Sequence, residues 1–111
     1  ALDPEAFVSR HSRALVLDKI GKHYDAILDF NIAIQGDPQN SVYYHSRGYC
    51  YRNLNKFIEA VEDYTSALKI DPNYVVAYNN RGYAWRKLGK YDKAVDDYTQ
   101  SLQREAKNIK T

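Results

Sequence analysis

Residues 40–72 read NSVYYHSRGYCYRNLNKFIEAVEDYTSALKIDP, and residues 74–106 read YVVAYNNRGYAWRKLGKYDKAVDDYTQSLQREA. Offset by 34 residues, Tyr44 meets Tyr78, Arg47-Gly48 meets Arg81-Gly82, and Tyr51 meets Trp85. Further along, Ala60, Tyr64 and Leu68 meet Ala94, Tyr98 and Leu102. A diverged first copy carries Arg10, Arg13-Ala14, Leu17, Ala26, Phe30, Ile34 and Pro38. Self-similarity at a fixed period of this length is the signature of stacked supersecondary units.

Each copy holds two helical patterns. Tyr44, Arg47, Gly48 and Tyr51 fall on one face of a helix, as do Ala60, Tyr64, Ala67 and Leu68. The breaks between them, Gly21-Lys22, Asn55-Lys56 and Gly89-Lys90, supply the Gly or Asn that suits a left-handed helix end. Breaks this short make the paired helices antiparallel neighbours. Helices are therefore expected over 7–20, 23–35, 41–54, 57–70, 75–88 and 91–106, with no strand.

This pattern resembles the tetratricopeptide repeat family over residues 7–108. The family asks for an aromatic, then Leu-Gly, Tyr, Ala, an aromatic and Pro in each repeat. The departure is the Leu before Gly, which is Arg13, Arg47 and Arg81 here. The resemblance implies an all-α fold: an α-solenoid of three antiparallel helix pairs wound as a right-handed superhelix. Repeats are expected at 7–40, 41–74 and 75–108, with a short tail at 109–111. Residues 1–6, ALDPEA, carry the Asp-Pro of DPQN at 37–40 and DPNY at 71–74. Pro restricts the backbone around it in a way that stops helices. This opening is therefore expected to be the tail of a preceding repeat, and the chain a section of a longer array.

Composition narrows function. Of 111 residues, 44% are apolar and 27% charged, as in a folded soluble domain. Sixteen basic and 14 acidic residues leave a net charge of +2, which favours neither nucleic acid nor a membrane surface. No apolar run reaches membrane-spanning length. The lone Cys50 cannot close an internal disulfide, which fits a cytoplasmic setting. Cys50 aligns with Val16 and Ala84, so it reads as a small buried residue. Arg13, Arg47 and Arg81 recur with Asp29, Asp63 and Asp97, so each pair is expected to meet across its two helices. Gly48, Gly82 and Ala14 are expected to lie opposite Ala60, Ala94 and Ala26.

Nothing points to an enzyme. There is no Ser-His-Asp set, phosphate loop or zinc spacing, and a catalytic site would occur once, not in every repeat. His11 and His45 recur, but Asn79 takes the third place and no further ligand accompanies them. His23 falls in an interhelix break. No metal and no cofactor is expected.

The resemblance implies that the first helix of each repeat lines a concave groove where peptides lie. Opposite the packing face, the second and third repeats carry Val42, Tyr49, Val76, Asn80, Tyr83 and Lys87, flanked by His45, Arg52, Asn79 and Arg86. Tyr beside Arg is typical of binding hot spots, and the basic end favours ligand carboxylates. The expected function is a protein-interaction scaffold holding a peptide or partner helix, including one with acidic residues. The subclass that grips chaperone tails with a dicarboxylate clamp needs Lys and Asn on the first helix, Asn on the third, and Lys and Arg on the fifth. This chain has His11 and Leu15, Ser46, and Val76 and Asn80 there, so that clamp is not expected. RNA binding and architectural self-stacking are the competing readings. Balanced charge weighs against RNA. A last helix running past Ala106 toward Asn108, with Val95, Tyr98 and Leu102 under-covered, would suit head-to-tail association.

Overall fold

A computed structural model describes residues 3–110. Their six helices are α1 (Pro4–Lys19), α2 (His23–Gly36), α3 (Ser41–Asn53), α4 (Phe57–Ile70), α5 (Val75–Lys87) and α6 (Tyr91–Lys110), with no strand among the described residues. Each pair, α1 with α2, α3 with α4 and α5 with α6, packs together and then against the next pair. The first pair makes no contact with the third among the described residues. The result is an elongated stack of 41 × 33 × 21 Å.

The turns within pairs share one device. Gly21, Asn55 and Gly89 have φ of 89°, 60° and 76°. That left-handed residue lets Lys22, Lys56 and Lys90 donate back to the carbonyls of Leu17, Tyr51 and Trp85 at 2.8, 2.8 and 2.9 Å. The bond satisfies a helix-end carbonyl and reverses the chain within two residues.

Between repeats, Asn40 accepts from the Val42 amide at 3.1 Å and caps α3. At the chain start the same Asp-Pro element opens a helix, so α1 begins at Pro4, three residues before the expected start at residue 7. Asp3 caps Glu5 N at 3.0 Å and Pro4 occupies the first turn, so Pro4–Ala6 open α1. Proline's fixed φ suits that position, where its missing N–H costs nothing. Ala1, Leu2 and Thr111 lie outside the described residues. At the other end α6 passes Ala106 and continues through the expected tail to Lys110. No helix is long and apolar enough to cross a membrane, among the described residues.

The core is divided among the layers. Phe7, Ala33, Ile34 and Tyr43 form one cluster, Ala14, Ala26, Phe30 and Cys50 a second, and Ala60, Val61, Tyr64 and Ala84 a third. Each spans one junction, as expected when a repeat touches only its neighbours. Gly48 allows close approach, but to a different partner from the one expected. A Cβ there would meet the Tyr64 ring at 2.9 Å and Asp63 Cβ at 3.1 Å. Helical periodicity identifies the face but not the axial offset between two helices, and here the small residue lies under an aromatic ring.

The expected ion pairs are present in all three repeats. Arg47 grips Asp63 with two bonds of 2.7 and 2.8 Å, and Arg81 grips Asp97 with two of 2.7 Å. Arg13 holds Asp29 at 2.6 and 2.7 Å, and Arg10 adds a bond of 3.2 Å. The carboxylates are buried. The remaining Arg nitrogens reach back across the junction, Arg47 to Asn31 at 2.8 Å and Arg81 to Thr65 at 3.2 Å. Arg47 and Arg81 therefore each tie three helices together. Hydrogen bonds from Arg13 hold the Asp29 carboxyl below its ordinary range.

Candidate functional site

Consecutive first helices touch, α1 with α3 and α3 with α5, while consecutive second helices do not, among the described residues. The stack therefore closes toward the α1–α3–α5 side. The residues expected to bind a partner lie on α3 and α5.

A hydrogen-bonded ladder sets its spacing. The His11 Nε2 and Ser46 Oγ pair at 2.9 Å, and Asn80 Nδ2 donates to His45 Nε2 at 3.0 Å. The two links occupy equivalent places one repeat apart. Each imidazole also lies among aromatic rings, His11 near Phe30 and Tyr43, and His45 near Tyr64 and Tyr74. Burial lowers the pKa of both rings, that of His45 to about 4, so His45 is neutral at pH 7. His45 and Asn80 thus act between repeats and are less available to a ligand than their groove positions imply.

Beyond this ladder α3 and α5 gather a cationic aromatic cluster. Arg52 lies 4.0 Å from the centre of the Tyr83 ring and 5.2 Å from that of Tyr49. Arg86 and Lys87 approach the same Tyr83 ring at 5.1 and 5.7 Å. Phe57, the first residue of α4, braces Tyr83 at 6.2 Å between centroids. Among the described residues, no carboxylate lies within salt-bridge distance of these three cations. Tyr49 is exposed, and so are Arg86 and Lys87.

Val42 and Val76 are exposed at the other end of the face. Val76 and Asn79 turn toward α6, where they line a depression of about 460 Å³ with Tyr98, Ser101 and Leu102. The structure thus unites Tyr49, Arg52, Tyr83, Arg86 and Lys87, pairs His45 with Asn80, and sets Val76 and Asn79 apart at the end of the stack.

One constellation escaped the sequence reading. His23 is the first residue of α2, and its Nδ1 lies 2.5 Å from Asp18 Oδ1. Cys50 Sγ donates to the His23 carbonyl at 3.4 Å, and Asn53 Nδ2 reaches both Asp18 oxygens at 3.1 and 3.2 Å. Cys50 is fully buried, and desolvation pushes its thiol up to about 12. That thiol is no nucleophile on its own.

Helix pairs stacked with first helices inward define a helical-hairpin solenoid built for recognition. The chain belongs to the tetratricopeptide repeat family, which it matches over residues 41–74 and 75–108. Similar solved structures include the first TPR domain of Spaghetti (RPAP3) bound to the HSP90 peptide SRMEEVD. It is 30% identical with a TM-score of 0.90, over 95% of this chain and 83% of that one. The TPR domain of Arabidopsis OM64 is 29% identical with a TM-score of 0.89, over 94% and 86% of the two chains. MamA shares the fold at 24% identity and a TM-score of 0.93, over 99% of this chain and 64% of that one. Among curated proteins none matches the sequence.

Proposed function

We propose that this chain is a protein-interaction scaffold whose groove holds an extended peptide bearing acidic and apolar residues. The supporting observation is the cluster around Tyr83: Arg52, Arg86 and Lys87 converge on one ring with no carboxylate within salt-bridge distance among the described residues. A ligand carboxylate placed there meets charge-assisted donors on a rigid aromatic platform. The similar Spaghetti domain takes an acidic HSP90 peptide, which fits this chemistry. The mode differs from a dicarboxylate clamp, because His11, Leu15, Ser46 and Val76 stand at clamp positions and Asn80 is engaged by His45. No catalytic role is assigned to any residue, and a lone Cys50 fits a cytoplasmic setting.

The test is fluorescence anisotropy with labelled SRMEEVD and with a scrambled, Lys-substituted version. The acidic peptide is expected to bind, and Tyr83→Ala or Arg52→Ala to weaken it by about 1–2 kcal/mol. Unchanged affinity in both variants, or loss on changing the outer-helix residue Ile58 instead, would place the site elsewhere. Binding of single-stranded RNA with a steep salt dependence would favour the nucleic-acid reading.

We further infer that the α6 end meets another layer, the next repeat of a longer right-handed array or a second copy. Val95 and Leu102 are 62% and 65% exposed there, whereas their equivalents Val61 and Leu68 are buried, Val61 in a cluster with Ala84 of α5. Sedimentation of the protein and of its Leu102→Glu variant checks this. A monomer at all concentrations excludes the second copy.

A further inference from the structure

The structure assigns Asp18, His23 and Cys50 as a binding site for a zinc-like divalent cation that staples the first repeat to the second. One ligand atom from each residue, the carboxylate oxygen, the imidazole nitrogen and Sγ, lies within 4.8 Å of both others. A tetrahedral ion with bonds of about 2.0–2.3 Å sets its ligand atoms about 3.3–3.7 Å apart. Closing this set requires the Asp18–His23 hydrogen bond to open by about 1 Å and the sulfur to swing inward. Asn53 is already on Asp18, and rotating its carboxamide offers an oxygen as a fourth ligand.

The repeat itself supplies the second observation. Asp18 stands where the later repeats have Arg52 and Arg86, and His23 where they have Phe57 and Tyr91. Cys50 stands where Val16 and Ala84 are. These positions come from α1, α2 and α3, yet all three departures meet at one point. At the equivalent place in the next junction Phe57 packs on the cluster containing Ala84. There the places of His23 and Cys50 are filled by the apolar Phe57 and Ala84 and that of Asp18 by Arg52, so an Asp–His–Cys trio is not a requirement of the fold.

The donor set selects the ion. A thiolate with an imidazole and a carboxylate suits borderline-soft cations such as Zn²⁺ and disfavours Mg²⁺ and Ca²⁺. On binding, the Sγ–H bond breaks, its proton leaves to solvent, and the sulfur lone pair bonds the metal. The His23 ring proton shifts to Nε2, freeing Nδ1. His23 is only partly buried and Asn53 is exposed, which gives the ion a path from solvent.

The test is titration of metal-free protein with Co²⁺, read by the near-ultraviolet sulfur-to-cobalt charge-transfer band and the visible d–d bands. The expected result is one equivalent bound, with both bands bleached by Zn²⁺. Cys50→Ala and His23→Phe take their replacements from the next junction, so both should fold, as circular dichroism will verify. Loss of the charge-transfer band in Cys50→Ala, weakened binding in His23→Phe, and a zinc-dependent rise in Tm confined to the parent protein would support the site. Absence of the band in the parent, or equal cobalt affinity in His23→Phe, would overturn it.

Discussion

Gly48 and Gly82 occupy the same place in successive repeats, yet replacing each by Ala should have opposite outcomes. A Cβ on Gly48 would sit 2.9 Å from a ring carbon of Tyr64 and 3.1 Å from Asp63 Cβ. Neither neighbour can yield easily: Tyr64 is fully buried, and Asp63 is held by two bonds from Arg47. Overpacking of this kind costs about 1–3 kcal/mol, and the helix-propensity gain of Ala over Gly returns about 1 kcal/mol. Gly48→Ala is therefore expected to destabilise by up to about 2 kcal/mol. The three atoms nearest a Cβ on Gly82 all belong to the Tyr98 ring, the closest at 3.2 Å, and that ring is half-buried at the end of the stack. The ring can swing a few tenths of an ångström, so Gly82→Ala should be neutral or stabilising by up to about 1 kcal/mol. Unfolding entropy for a chain of this size makes 1 kcal/mol worth about 4 °C in Tm. Thermal and urea denaturation followed at the helical circular dichroism band would resolve the pair. Equal effects of the two substitutions would refute the idea that the next repeat locks the Tyr64 ring.

Other outcomes follow from the same geometry. Tyr64→Phe should raise the urea midpoint by the equivalent of about 1 kcal/mol, because the buried Tyr64 hydroxyl has no hydrogen-bond partner among the described residues and Phe30 fills the equivalent place; a lower midpoint would mean the hydroxyl is satisfied. Asp63→Ala should cost about 3–5 kcal/mol, since it strands a mostly buried Arg47, 21% exposed at its side chain. Asp29→Ala should cost far less, because Arg13 is 63% exposed and water takes over; chemical denaturation of both variants would expose any inversion of that order. For His45 the folded pKa of about 4 lies below the unfolded 6.5, so the unfolded chain binds the extra proton between these values. Its contribution is complete above pH 6.5 and falls by at most about 3 kcal/mol as pH drops toward the folded value. His45→Asn should flatten that part of the stability–pH curve, and an unchanged curve would show that the ring titrates normally.

The layered helical fold, its turns and its ion pairs were legible in the chain alone. A period repeats every local requirement at known offsets, so each element is stated more than once. Arg47 and Asp63 recur as Arg81 and Asp97, and two helices joined by a tight reversal must bring such residues together. The left-handed turn at Gly21, Asn55 and Gly89 could be read in the same way. Which of the candidate binding residues come together depended on distance. Tertiary packing alone turned His45 and Asn80 into a link between repeats, set Arg52 on Tyr83, and placed Gly48 under Tyr64. Periodicity reports which residues share a face. It carries no information on the axial offset or separation of neighbouring helices, which follow from how side chains of particular volume interlock. Asp18, His23 and Cys50 mark that boundary most sharply: each departs from the repeat at a different place in the sequence, and only the packing of three helices makes them neighbours.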